Sequence, residues 1–269
     1  MASPTRYIAL LGAISLLPVP QLAIEAAGHT VVLSPQSVST QSDAYDVLLH
    51  SRSLADQRAA INIVLRDSRQ YVPRIQESLR NYPRLLRTDP IAARRAVYIS
   101  ALVRDPSFAS ILAKHLSLPI VLDDCVYACP VVFALTIQAC FGGWSPAQNL
   151  DPQLSTVHDL RAEIQMVSRI HLKKGSITDV AQGPGIEEHR KEFDGKSEEE
   201  IIQIAGQKTS SEETRMYAAF WLETLVTGSK NRIDLYLLAL NDFEDGSGEY
   251  KGAVYQSIYR AELAKTKGQ

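Results

Sequence analysis

Apolar residues return every three to four positions through Ser42–His50, Leu54–Arg66, Arg69–Asn81, Ile91–Val103 and Ser107–Leu116, stretches of 9 to 13 residues. That period lays an apolar stripe along one side of a helix, so each stretch predicts an amphipathic α-helix. Pro73, Pro83, Pro90, Pro106 and Pro119 punctuate the series. Thr88-Asp89-Pro90 and Asp105-Pro106 set a capping side chain directly before a proline, whose fixed φ and missing N–H suit the first helical turn. Cys129–Cys140 is strongly apolar and is closed by Gly142-Gly143. Leu154–Leu172 predicts a long amphipathic helix ended by Lys173-Lys174-Gly175, with cations at its negative end and a glycine beyond. Ser197–Gly206, Glu212–Thr227, Arg232–Asn241 and Gly252–Ala264 predict the remaining helices. Only His29–Leu33 and Ile120–Leu122 form a candidate strand pair, and nothing else alternates with period two. The chain reads as all-α, with a helical-repeat-like or a compact multi-helix architecture.

Three helices share a local pattern of Ala, two apolar residues, three variable positions and Leu. It occurs as Ala59-Ala60-Ile61 to Leu65, Ala96-Val97-Tyr98 to Leu102, and Ala219-Phe220-Trp221 to Leu225. The stretch from Ala92 through Leu122 resembles the third helix of an armadillo repeat running into the next, and Glu212–Leu240 is similar. The resemblance to armadillo and HEAT units covers less than half of the chain. It implies stacked units with a concave groove that binds an extended partner, with Arg58, Arg94 and Arg95 facing or flanking that groove. Along the chain, residues 1–175 read as an Arg-rich helical region, 176–196 as a loop or linker around Gly183-Pro184-Gly185, and 197–269 as an acidic helical region, together one structural unit.

Charge sharpens this division. Residues 58–104 hold ten arginines, no lysine and three acids, Asp67, Glu77 and Asp89. Residues 187–249 hold fifteen acids against seven Lys/Arg, although the whole chain carries only −2. Arginine in place of lysine favours bidentate binding of carboxylate or phosphate. A pI near 6.3 argues against a general nucleic-acid coat, which needs a basic surface overall.

Cys125, Cys129 and Cys140 are too few and too clustered for a disulfide framework, and their spacing is poor for zinc, so reduced thiols are expected. Tyr7–Leu17, followed by Pro18-Val19-Pro20 and small residues near Ala23–Ala27, reads either as an apolar first helix or as a signal peptide. The run is too short to span a bilayer. The expected location is accordingly cytoplasmic, or secreted if residues 1–27 are a signal.

One constellation carries candidate chemistry. Asp123-Asp124 follows an apolar run, and Asn241, Asp245 and Glu249 fall at i, i+4 and i+8. The pair of motifs resembles the DDxxD/E and NDxxSxxxE segments of class I terpene cyclases, which implies magnesium ions held by Asp123, Asp124, Asn241, Asp245 and Glu249 to bind a diphosphate. The first motif lacks its third acid, and Asp245 stands where Ser or Thr is expected. Gly195-Lys196-Ser197 lacks the upstream glycine of a P-loop, where Arg190 stands, and no G-x-S-x-G elbow occurs. The six histidines show no close pairing.

The sequence therefore leads first to a non-catalytic α-helical interaction protein without a cofactor, binding an acidic protein partner or self-associating through opposite-charge faces. A magnesium-dependent, diphosphate-handling enzyme is the alternative. A nucleocapsid-like RNA binder, drawing on the same arginines, is the second alternative.

Overall fold

The computed structural model describes residues 43–119, 121, 129–146, 150–170, 186–225, 230–241 and 248–267, which belong to one unit. Thirteen α-helices and no strand form among them. The apolar run at 7–17 and the candidate strand at 29–33 lie outside the described residues, as does most of 120–122.

The first six helices are α1 (Ala44–His50), α2 (Leu54–Arg66), α3 (Ser68–Arg80), α4 (Tyr82–Thr88), α5 (Pro90–Val103) and α6 (Ser107–Ala113). Local chemistry sets several starts. Asp43 accepts the Tyr45 N–H ahead of α1, and Ser53 accepts the Asp56 N–H ahead of α2. Asp89 accepts the Ala92 N–H at 2.9 Å with Pro90 as the first residue of α5, as the Thr88-Asp89-Pro90 signal predicts.

The pattern of apolar positions missed α4, because Pro83 reads as a break. It is the second residue of that helix, a position where its missing N–H is tolerated. Asn81 barely interrupts the path: it donates its N–H to the Glu77 carbonyl and accepts that of Leu85, so α3 and α4 run nearly as one helix. Pro83 has no N–H to give the Leu79 carbonyl one turn back. His115 fills the vacancy, its Nε2 donating to that oxygen at 2.7 Å while its ring packs on Tyr82. A carbonyl only accepts, so Nε2 carries the proton. Burial lowers the pKa of this histidine.

The later helices are α7 (Pro130–Phe141), α8 (Ser155–Arg169), α9 (Ile186–Phe193), α10 (Glu198–Gly206), α11 (Glu212–Leu225), α12 (Arg232–Asn241) and α13 (Gly248–Lys267). Helix α9 occupies part of the stretch read from sequence as a linker; its Phe193 is fully buried against Trp221, which fixes a segment too charged to look ordered. Ser197 and Glu200 close a reciprocal capping box at the start of α10.

Helices α5 and α7 form the centre. Residues 95–102 of α5 and 130–138 of α7 are all buried, and a helix covered all round must sit inside the bundle. Tyr98, Phe133, Tyr236, Tyr255 and Tyr259 interlock there, with the Phe133 and Tyr255 rings stacked at 4.2 Å and the Tyr98 and Tyr255 hydroxyls sharing a hydrogen bond. Helix α12 packs on α2 and α5, and α13 on α7, α11 and α12. In a linear stack each unit touches only its neighbours. Here the Arg232 guanidinium reaches the Leu102 carbonyl, 130 residues away, so α12 packs back onto the end of α5. No helix among the described residues is long and apolar enough to cross a membrane.

Three buried carboxyl groups sit between the helices. The fully buried Glu262 of α13 lies between Arg232 of α12 and Arg104 at the end of α5, with the Tyr236 hydroxyl donating at 3.2 Å. Arg104 adopts a left-handed conformation, φ 59°, uncommon outside glycine, and its side chain is tied to Glu262. Glu163 of α8 accepts hydrogen bonds from the Tyr259 and Thr136 hydroxyls and has no cation partner among the described residues; desolvation pushes its pKa up to about 7. Glu223 of α11, buried with the Arg260 charge as its counterweight, is pushed up to about 8.

Two outcomes are expected. Glu262→Ala leaves Arg232 buried without its carboxylate and should lower the unfolding free energy by about 3–5 kcal/mol in urea titrations. Glu163 and Glu223 are carboxyls whose folded pKa values lie above the unfolded ones, so the native state holds more protons between the two. Stability should thus fall as pH rises from about 5 to about 8, and Glu163→Gln should flatten the lower part of that decline.

Candidate functional site

The site begins with one buried guanidinium. Arg95 of α5 donates to the Leu49 and Ser51 carbonyls at 3.0 and 2.8 Å, and to the Leu240 carbonyl at 3.0 Å. These oxygens belong to the C-terminal ends of α1 and α12, where helix carbonyls lack partners and the macrodipole is negative. A further donor goes to Asn241 Oδ1 at 3.0 Å. Gln57 of α2 completes the knot: its amide donates to the Ser51 carbonyl at 2.7 Å and exchanges hydrogen bonds with the Asn241 amide. The knot thereby fixes α1, α2, α5 and α12 at one point.

Two cavities meet at Asn241. The first, about 470 Å³, is a polar bay bounded by His50, Arg52, Asp89, Arg95, Lys208 and Asn241. The second, about 410 Å³, is a groove between α2, α10 and α12. Its floor is apolar, made by Ile202, Leu237, Leu238 and the buried Tyr250, and Leu54 stands on its rim at 53 % exposure. Lys208 borders both. Five cations (Arg52, Arg58, Arg95, Lys208 and Arg215) line the pair of cavities against two carboxylates, Asp89 and Asp234, among the described residues.

Each wall is held by identifiable contacts. Arg58 pairs with Asp234 and ties α2 to α12 across the groove. Arg215 and the Tyr250 hydroxyl both donate to the Ala205 carbonyl, at 3.0 and 2.9 Å, anchoring the end of α10. Gly206 follows; a Cβ there would come within 3.0 Å of a Leu238 methyl, so the glycine lets α10 close down on α12. His50 faces Asp89 at 3.5 Å in the bay.

The residues singled out from sequence fall in different places. Arg58 borders the groove, and Arg94 is half-buried on α5. Arg95 borders the bay with only 4 % of its surface exposed, and its guanidinium is engaged by internal carbonyls, because two helix ends converge on it. Asp123, Asp124 and Asp245 lie outside the described residues. Asn241 donates to Gln57 and the Leu237 carbonyl and accepts from Gln57 and Arg95, which uses both acceptor positions of its oxygen. Glu249 is exposed in the first turn of α13. No group of three His, Cys, Asp or Glu side chains able to hold a metal ion occurs among the described residues.

Gln57, Arg52, Lys208 and the groove floor carried no signal along the chain. Helices α2, α10 and α12 are far apart in sequence, and no local pattern states that they meet. Compared with protein-family models, curated proteins and solved structures, the chain matches none.

Arg95→Lys should expose the role of the knot. A single ammonium cannot reach carbonyls on two helices at once, so orphaned acceptors should lower stability by about 2 kcal/mol, read from urea unfolding.

Proposed function

We propose that the protein is a non-catalytic helical interaction protein that holds an acidic segment of a partner protein in the groove between α2, α10 and α12. The observation that carries this reading is an apolar floor with cations at its edge: Ile202, Leu237 and Leu238 line the groove with Leu54 on its rim, Lys208 borders both groove and bay, and Arg52 borders the bay. Apolar anchors supply affinity at such sites, while the surrounding charge supplies orientation and selectivity. The partner segment places an apolar side chain over the floor and carboxylates beside it, toward Lys208 and the bay.

A partner chain fits better than a second copy. The basic and acidic halves already meet within one chain, through Arg58 with Asp234 and Arg104 with Glu262. Those pairs consume charge that head-to-tail association of copies would use.

The test uses a fluorescein-labelled peptide with a Leu-Phe anchor flanked by six Asp/Glu residues, and the same peptide with Lys in place of the acids. Binding of the acidic peptide that weakens at least tenfold in Leu54→Glu, with no binding of the Lys peptide, is the expected result. Leu54 is exposed, so the substitution leaves the core untouched. Equal binding of both peptides, or equal binding by the variant, would overturn the reading.

A further inference from the structure

Because α3 and α4 run nearly as one helix, positions on both can be placed on a single wheel at 100° per residue. Arg69, Arg80, Arg84 and Arg87 then fall within a sector of about 60°. Tyr71, Ile75, Leu79, Tyr82 and Leu86 occupy the opposite side and are buried. All four arginines are exposed, and none forms an ion pair among the described residues. Arg80 alone has a side-chain partner, the neutral Gln76. Glu77 flanks the row, and Asp105 is nearby through Ser107, which Gln76 bonds; neither pairs with it. Of the other early arginines, Arg58 pairs with Asp234, Arg66 with Asp67, Arg74 with Asp43 and Asp46, and Arg104 with Glu262, while Arg95 is held in the knot of helix ends.

We infer that this row binds the phosphate backbone of a nucleic-acid duplex. From Arg69 to Arg87 the row is about 27 Å long, which matches roughly eight base pairs at 3.4 Å each. Three other occupants lack what they require. A protein partner needs an apolar anchor at the centre of the contact, and neither α3 nor α4 exposes a large apolar side chain. An anionic membrane holds a helix best where apolar side chains insert beside the cations, and these are missing for the same reason. Single strands need exposed aromatic faces on which to stack bases, and Tyr71 and Tyr82 are buried. Guanidiniums alone on one helix face, three of them within the last two turns and Arg69 about 16 Å before them, suit the phosphates of a double helix and read no base sequence. The surface is separate from the groove, and either can fail without the other.

Fluorescence anisotropy with a labelled 20-base-pair RNA duplex tests it, beside the same sequence as DNA duplex and as single-stranded RNA. Four phosphate contacts give a salt slope near −3.6, so affinity should weaken about 12-fold for each doubling of salt. The double variant Arg84→Gln/Arg87→Gln should bind less tightly and weaken only about 3.5-fold per doubling. Circular dichroism checks that it folds as the parent does. Tighter binding of either duplex than of single strands, with that reduced slope, supports the inference, and the RNA and DNA arms show which duplex is preferred. No duplex binding at 50 mM salt, an unchanged slope in the variant, or stronger capture by anionic vesicles that the variant loses would overturn it.

Discussion

The guanidinium of Arg95 is the constraint on which the arrangement of the helices depends. It sits where the C-terminal ends of α1 and α12 converge, a place that would otherwise gather unpaired carbonyls and two negative helix ends inside the protein. A planar, permanently charged fork with five donors answers several acceptors at once; no other side chain does so from one position. Asn241 and Gln57 then extend the same knot to α2. The bay and the groove are the spaces left around it, so the candidate binding surface and the stability of the fold share residues.

Opposite charge, divided along the chain, is rejoined in three dimensions. Arg104 from the basic half and Arg232 close on Glu262 near the C-terminus, and Arg58 reaches Asp234. Buried pairs of this kind contribute less to net stability than their Coulomb attraction suggests, since both partners lose water. Their effect is on register: a buried carboxylate that has lost its arginines is costly, so α5, α12 and α13 have few alternative ways to pack. Arg69, Arg80, Arg84 and Arg87 of α3 and α4 form no ion pair among the described residues, and that is what sets them apart as a surface.

Helix positions were largely legible from periodicity and capping chemistry. Asp89-Pro90 marks the start of α5, and the apolar run at 129–140 gives α7 almost residue for residue. The failures have physical causes. Pro83 disguised α4 because the rule against proline applies to helix interiors and not to the first turn. Charge disguised α9, whose order comes from Phe193 packing on Trp221, a contact with no local trace. In the pattern shared by α2, α5 and α11 the third position, Ile61, Tyr98 and Trp221, is buried in each helix.

The chain by itself determined an all-helical architecture, the caps that begin several helices and the separation of basic from acidic halves, because these follow from side-chain periodicity and from bonds spanning a few residues. Only the tertiary structure decided which arginines are internal fasteners and which face outward, and that α2, α10 and α12 enclose a groove. Those outcomes depend on contacts across more than a hundred residues, such as Gln57 with Asn241 and Arg104 with Glu262, and residues so far apart in sequence become neighbours only once the helices between them have packed.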